Sequence, residues 1–240
     1  MIRAIIALLF AALFLIITLP YIFIVWLISK KHPDKAYALA APPAMWGLRV
    51  VSFLCSVHLN VTGLENIPKD RSVLYIGNHS SIFDVILTYP LSPRPTGYLA
   101  KKEMTKVPVF KLWMDVLFCL TLDRSDTRQA LGVILKAIDY EKQGRSVFIF
   151  PEGTRTKDGT LGAFHAGSFK VALRSGCPVI PVAITHTAEI IRDHIPFVKT
   201  TTVNISYGTP IETKDLSVEE KKHLANHVRD IISGMLDEMD

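Results

Sequence analysis

A histidine and an aspartate five positions apart, in Asn78-His79-Ser80-Ser81-Ile82-Phe83-Asp84, are the residues of this chain best suited to moving a proton. On one continuous helix, positions five apart differ by about 140° and could not face each other. Here an apolar strand-like run, Val73–Gly77, leads directly into His79, and a helical pattern starts at Ile82. That strand–turn–helix break lets the imidazole fold back toward the carboxylate. A carboxylate in that place fixes the tautomer of a general base, and a helix N-terminus favours the ionised Asp84. A surface histidine beside an unrelated helix cap would carry the same residues. A second group, Phe150-Pro151-Glu152-Gly153-Thr154-Arg155, also follows a strand-like run. Gly153 permits close backbone approach to a ligand, and Arg155 can grip a phosphate with two hydrogen bonds. The plainer alternative is a polar turn with one exposed arginine. Leu122-Asp123-Arg124-Ser125 forms a third group beyond a strand. The stretch Arg94–Lys111 forms a fourth, setting Lys101, Lys102, Lys106 and Lys111 against Glu103, though basic loops are commonly just solvated. The stronger argument is convergence. If the strands are neighbours, these groups meet at the carboxyl edge of one sheet, where open α/β folds place ligands.

The elements that must position them alternate. Val73–Gly77, Gly97–Ala100, Leu117–Leu122, Ser146–Phe150, Val179–Ile184 and Thr202–Tyr207 read as strands. Ile82–Tyr89, Asp126–Gln143 and Ser168–Ser175 read as helices. In the second of these Asp126 can cap, Gln129 sits three residues on and Gly144 closes the end. A last helix starts at Ser217, with Glu220 in capping-box position and Leu224, Val228, Ile231, Ile232, Met235 and Leu236 on its apolar face. The pattern predicts an α/β fold with a mixed, largely parallel sheet flanked by helices.

The 240 residues divide into a helical membrane-anchoring segment, 1–58, and an α/β domain, 59–240. The anchor holds Arg3, Lys30, Lys31, Lys35 and Arg49 against Asp34, while the rest is nearly balanced, with 22 Lys/Arg against 21 Asp/Glu. Excess charge on the apolar part and not on the folded domain excludes a nucleic-acid binder and fits anionic headgroups. Ala4–Ser29 is 26 residues without a charge. As one helix it would be about 39 Å long, enough to cross a core of roughly 30 Å. It is longer than the apolar core of a signal peptide and ends in Ser29-Lys30-Lys31. A second, weaker apolar segment is expected over Ala36–Leu59. One crossing with the lysines inside, or a helical hairpin in one leaflet, both place the domain at a cytoplasmic membrane surface. Cys55, Cys119 and Cys177 form neither a disulfide framework nor a zinc spacing. His223 and His227 lie four apart on the last helix but have no third ligand in view.

Taken in order, the groups resemble the 1-acylglycerol-3-phosphate acyltransferases, the PlsC type of glycerolipid acyltransferase, over about residues 72–185. Asn78-His79-x4-Asp84 is similar to the family's first motif, and the resemblance makes His79 and Asp84 the catalytic pair. Ala100-Lys101-Lys102-Glu103-Met104 with Pro108 is similar to the lysine-rich stretch that follows it. Asp123-Arg124 matches the end of the second motif, Phe150–Arg155 the third, and Val179-Ile180-Pro181-Val182 the fourth. The resemblance implies that Lys101, Arg124, Glu152, Gly153, Thr154 and Arg155 bind substrate, with the two arginines on the acceptor phosphate. It implies a fatty acyl group passing from acyl-CoA or acyl-carrier protein to the hydroxyl of lysophosphatidic acid, giving phosphatidic acid for phospholipid synthesis. No metal or organic cofactor is implied, and the partners are the bilayer, its lipid and the acyl donor. The chain has no Gly-x-Ser-x-Gly elbow, which argues against an acyl-serine intermediate. Thr121 stands where the second motif usually carries phenylalanine. Phe164-His165-Ala166-Gly167 stands where Phe-Lys-x-Gly is common. These departures keep other acceptors open: a lyso-ornithine lipid, another lysophospholipid or glycerol 3-phosphate. A thioester hydrolase and a non-catalytic lipid-binding module are the readings from other classes.

Overall fold

Alternating apolar residues on three central strands build two cores, one on each side of a sheet. In the computed structural model, which describes residues 2–123, 126–155, 160–191 and 197–239, these are β2 (Leu74–Gly77), β5 (Ser146–Ile149) and β6 (Val179–Ile184). All their residues are buried, as expected of strands covered on both faces. Tyr75, Phe148, Ile180, Val182 and Ile184 point to one core, and Leu74, Ile76, Val147, Ile149 and Val179 to the other. Adding β1 (Val57–Thr62), β3 (Thr96–Lys101), β4 (Leu120–Leu122) and β7 (Thr201–Tyr207) gives seven strands among the described residues, in the order β1-β7-β6-β2-β5-β3-β4. Neighbours are parallel except β6 and β7, which are antiparallel. The expected α/β class is the observed one.

The second core is closed by α6 (Thr127–Lys142), α7 (Lys170–Ser175) and α8 (Val218–Asp237). Asp126 caps α6, its Oδ1 accepting from the N–H groups of Arg128 and Gln129, both at 3.0 Å. Ser217 and Glu220 form the expected capping box at α8. Gln129 differs from expectation. Its amide holds the Asp123 N–H and the Thr121 carbonyl, so it ties α6 to the end of β4 and does not cap its own helix.

The first core is closed by the N-terminal helices α1 (Ile2–Ile17), α2 (Leu19–Ser29) and α3 (Pro33–Leu54), with α4 (Phe83–Thr88) and α5 (Pro108–Val116). The expected single helix over Ala4–Ser29 is broken at Thr18, with a bend of 54° between α1 and α2. Pro20 at the start of α2 lacks the N–H that would continue the ladder, and Thr18 turns its hydroxyl onto the Phe14 carbonyl at 2.6 Å. No single helix among the described residues is long and apolar enough to cross a membrane; the bent pair meets that test only together. The second apolar segment also ends early. Helix α3 stops at Leu54, Ser56 turns the chain at φ 53°, and β1 begins at Val57. The run expected as a strand from Leu117 is a strand only from Leu120, because Leu117 caps the end of α5 and Phe118 turns the chain at φ 58°.

Candidate active site

Because β2, β3, β4, β5 and β6 all point the same way, the residues that follow them share one edge of the sheet. His79 follows β2, the middle strand of the seven-stranded order. The intervening turn folds its ring back so that Nδ1 lies 2.7 Å from Oδ2 of Asp84 in the first turn of α4. Asp84 is fully buried, while the His79 side chain keeps 18% of its exposure. The same Oδ2 accepts the N–H groups of Ser80 at 2.7 Å and Ser81 at 2.9 Å, and Oδ1 accepts the hydroxyl of Thr187. A carboxylate oxygen only accepts, so the neutral imidazole must carry its proton on Nδ1. Nε2 has no partner among the described residues and is the nitrogen left to act as a base. Phe150 stacks on the imidazole, with ring centroids 4.2 Å apart and planes at 18°. The stack fixes the tilt of the ring, and the Asp84 contact fixes its tautomer.

The backbone carrying His79 is held from both neighbouring strands. On one side the Asn78 amide donates to the Ile184 carbonyl at 2.8 Å and accepts its N–H at 2.9 Å. On the other side Glu152, which is 8% exposed, accepts the His79 N–H at 2.8 Å through Oε1 and the Gly162 N–H at 2.9 Å through Oε2. Burial pushes the Glu152 carboxyl up, and the two N–H donors oppose that rise. Each oxygen of Glu152 thus accepts one backbone N–H and keeps a further lone pair for another donor. Gly153 turns the chain at φ +75°, a conformation that favours glycine.

The remaining expected residues are less tied down. Thr154 and Arg155 are exposed just past Gly153, and Arg155 has no hydrogen bond or ion pair among the described residues. Lys101 ends β3 and is exposed. Its neighbour Lys102 reaches Asp123 at 3.1 Å, closing the gap between the ends of β3 and β4. Arg124 lies outside the described residues. The structure thus brings His79, Asp84 and Glu152 into contact and leaves Lys101, Thr154 and Arg155 exposed along the same edge. Sequence reasoning missed Thr187 and, though it placed Phe150 at the head of a motif, gave that residue no role against His79. Each lies just beyond the carboxyl end of a strand next to β2, and that position was the available signal.

The acyltransferase family model matches residues 58–185 of the chain, which contain this whole edge except Thr187. The chain belongs to the acyltransferase family. Among its relatives is the 1-acyl-sn-glycerol-3-phosphate acyltransferase of Borreliella burgdorferi, 32% identical over 190 residues, 79% of this chain and 76% of that one. The chloroplastic 1-acyl-sn-glycerol-3-phosphate acyltransferase of Arabidopsis thaliana is 35% identical over 133 residues, so this chain spans 37% of that longer protein. A crystal structure of PlsC, the 1-acyl-sn-glycerophosphate acyltransferase of Thermotoga maritima, matches with a TM-score of 0.78 at 27% identity. It covers 99% of this acyltransferase and 97% of its own chain. The shared fold therefore takes in the N-terminal helices as well as the sheet.

Proposed function

We propose that this acyltransferase moves a fatty acyl group from a thioester, acyl-CoA or acyl-carrier protein, to the free hydroxyl of 1-acylglycerol 3-phosphate, giving phosphatidic acid. The observation that carries the reading is the 2.7 Å contact between His79 and a fully buried Asp84, at the edge where Arg155 is exposed. The names of its relatives supply the acceptor. Nε2 of His79 takes the hydroxyl proton as the oxygen attacks the thioester carbonyl. Asp84 stabilises the imidazolium that forms. The tetrahedral intermediate collapses, the carbon–sulfur bond breaks, and the leaving thiolate takes the proton back from His79. No enzyme nucleophile and no metal takes part. Arg155, with Arg124 and Lys101, binds the acceptor phosphate, and Glu152 holds the backbone of the His79 base in place.

The bent pair α1–α2 exposes Ile2, Leu8, Ile17 and Ile24. We read it as lying in one leaflet at the cytoplasmic face, from which the acceptor's acyl tail can be taken without extraction into water. Purified protein with lysophosphatidic acid and each donor form tests the reading. His79→Ala should lose about 10²–10⁴-fold in kcat, and Arg155→Ala should mainly raise the acceptor KM. Full activity of His79→Ala, or acylation of a different acceptor in place of lysophosphatidic acid, would overturn it.

A further inference from the structure

Asp84 distributes its hydrogen bonds unevenly. Three donors crowd Oδ2: the N–H groups of Ser80 and Ser81 and the His79 ring, at 2.7, 2.9 and 2.7 Å. Among the described residues Oδ1 has one partner, the hydroxyl of Thr187. The Cβ–Cγ torsion of an aspartate is soft, so its carboxylate can rotate and exchange donors between the two oxygens. Any such rotation moves Oδ2 off the imidazole. A donor fixed on Oδ1 opposes it.

The chain is arranged to hold that donor still. Thr187 is fully buried. It opens a 3-10 turn, Thr187–Ile190, just past the carboxyl end of β6. The preceding His186 adopts a left-handed conformation at φ 59°, which a non-glycine residue holds only when its surroundings enforce it. The Asn78 clasp on Ile184 fastens this end of β6 to the segment that carries His79. Thr187 is thus registered against Asp84 from 103 residues away in sequence.

We propose that Thr187 is a positioning residue of the acyl transfer, holding Asp84 in the rotation that meets His79. The proposal rests on the reading of His79 as the base. Thr187 touches neither substrate nor the reacting atoms and acts through Asp84 alone.

The test compares wild type with Thr187→Val, Thr187→Ser, Thr187→Ala and His79→Ala, with kcat normalised to folded enzyme. Valine keeps the shape of threonine and lacks the donor. It should lower kcat by about 10- to 100-fold, the range of a hydrogen bond to a charged group, and leave the acceptor KM within about twofold. Serine keeps the donor and should recover most of the loss. A packing role for Thr187 predicts the reverse order, with valine near wild type and serine impaired. That order, or an unimpaired Thr187→Val, overturns the proposal. Should the valine variant fail to fold, serine against alanine decides, and equal kcat in those two overturns it as well. His79→Ala separates the two levels. If it is active, the reading of the base is wrong; if it is inactive while Thr187→Val is unimpaired, only the role of Thr187 falls.

Discussion

Asparagine at position 84 would separate the charge of the aspartate from its hydrogen bonds. None of the three donors on Oδ2 can accept: two are backbone N–H groups and the third is the Nδ1–H of the neutral imidazole. The Thr187 hydroxyl on Oδ1 can rotate and accept. An asparagine therefore fits one way, with its oxygen toward the three donors and its NH2 toward Thr187. The imidazole keeps its tautomer and its place, and only the negative charge facing the imidazolium is lost. With Nδ1 and Oδ2 at 2.7 Å, the two charge centres lie about 4 Å apart, worth about 4 kcal/mol at an effective dielectric near 20. That corresponds to about 10³-fold in kcat. Asp84→Ala behaves differently. It strands three N–H groups and a hydroxyl in a buried site and should destabilise by about 3 kcal/mol or more, with Asp84→Asn clearly milder. Steady-state kinetics and urea denaturation of both variants provide the measurements. An asparagine variant within tenfold of wild-type kcat, or one as unstable as the alanine variant, would refute this account of the pair.

Two further predictions concern buried carboxyls. Burial raises the Glu141 carboxyl from 4.5 to about 7, and its Oε2 has no hydrogen-bond partner among the described residues. The folded state therefore binds this proton more tightly than the unfolded one. The stabilisation is fully present below about pH 4.5 and is lost as pH rises through about 7. At about 1.4 kcal/mol per tenfold change in proton affinity the loss is roughly 3 kcal/mol. Glu141→Gln, followed by denaturation between pH 5 and pH 8, should flatten that slope, and an unchanged slope would contradict the assignment. Glu152→Gln leaves one acceptor where His79 and Gly162 each donate to a separate oxygen. It should lower stability by about 2 kcal/mol and lower kcat while sparing the acceptor KM. A raised KM with kcat intact would instead put Glu152 on the substrate.

Features set by neighbours in sequence were legible before the structure. The buried strands β2 and β6 are short apolar runs. The start of α8 is written in Ser217 and Glu220, and a five-residue spacing across a turn marks His79 and Asp84 as a candidate pair. What could not be read depends on distant partners. Strand β1 merges into the apolar N-terminal run and becomes a strand only by pairing with β7. Helix α5 is masked by the basic residues around it, although Trp113, Met114 and Val116 form its buried face. The Thr18 bend combines a proline with a hydroxyl that reaches back one turn, and composition alone reads through both.

The same division explains why the motif was easier to find than to interpret. A histidine and an aspartate five apart occur often, and the spacing by itself does not hold an imidazole against a carboxylate. Here it is held because β2 lies between β5 and β6 with all three parallel, so polar residues arrive at its carboxyl end from both sides. From β5 comes Glu152, which binds the backbone of the histidine, and Phe150, which stacks on its ring. From β6 comes Thr187, which binds the far oxygen of the aspartate. Moving β2 to the edge of the sheet would remove one of these supports while leaving every local feature of the motif intact. The pair is therefore a property of strand order as much as of the residues that form it.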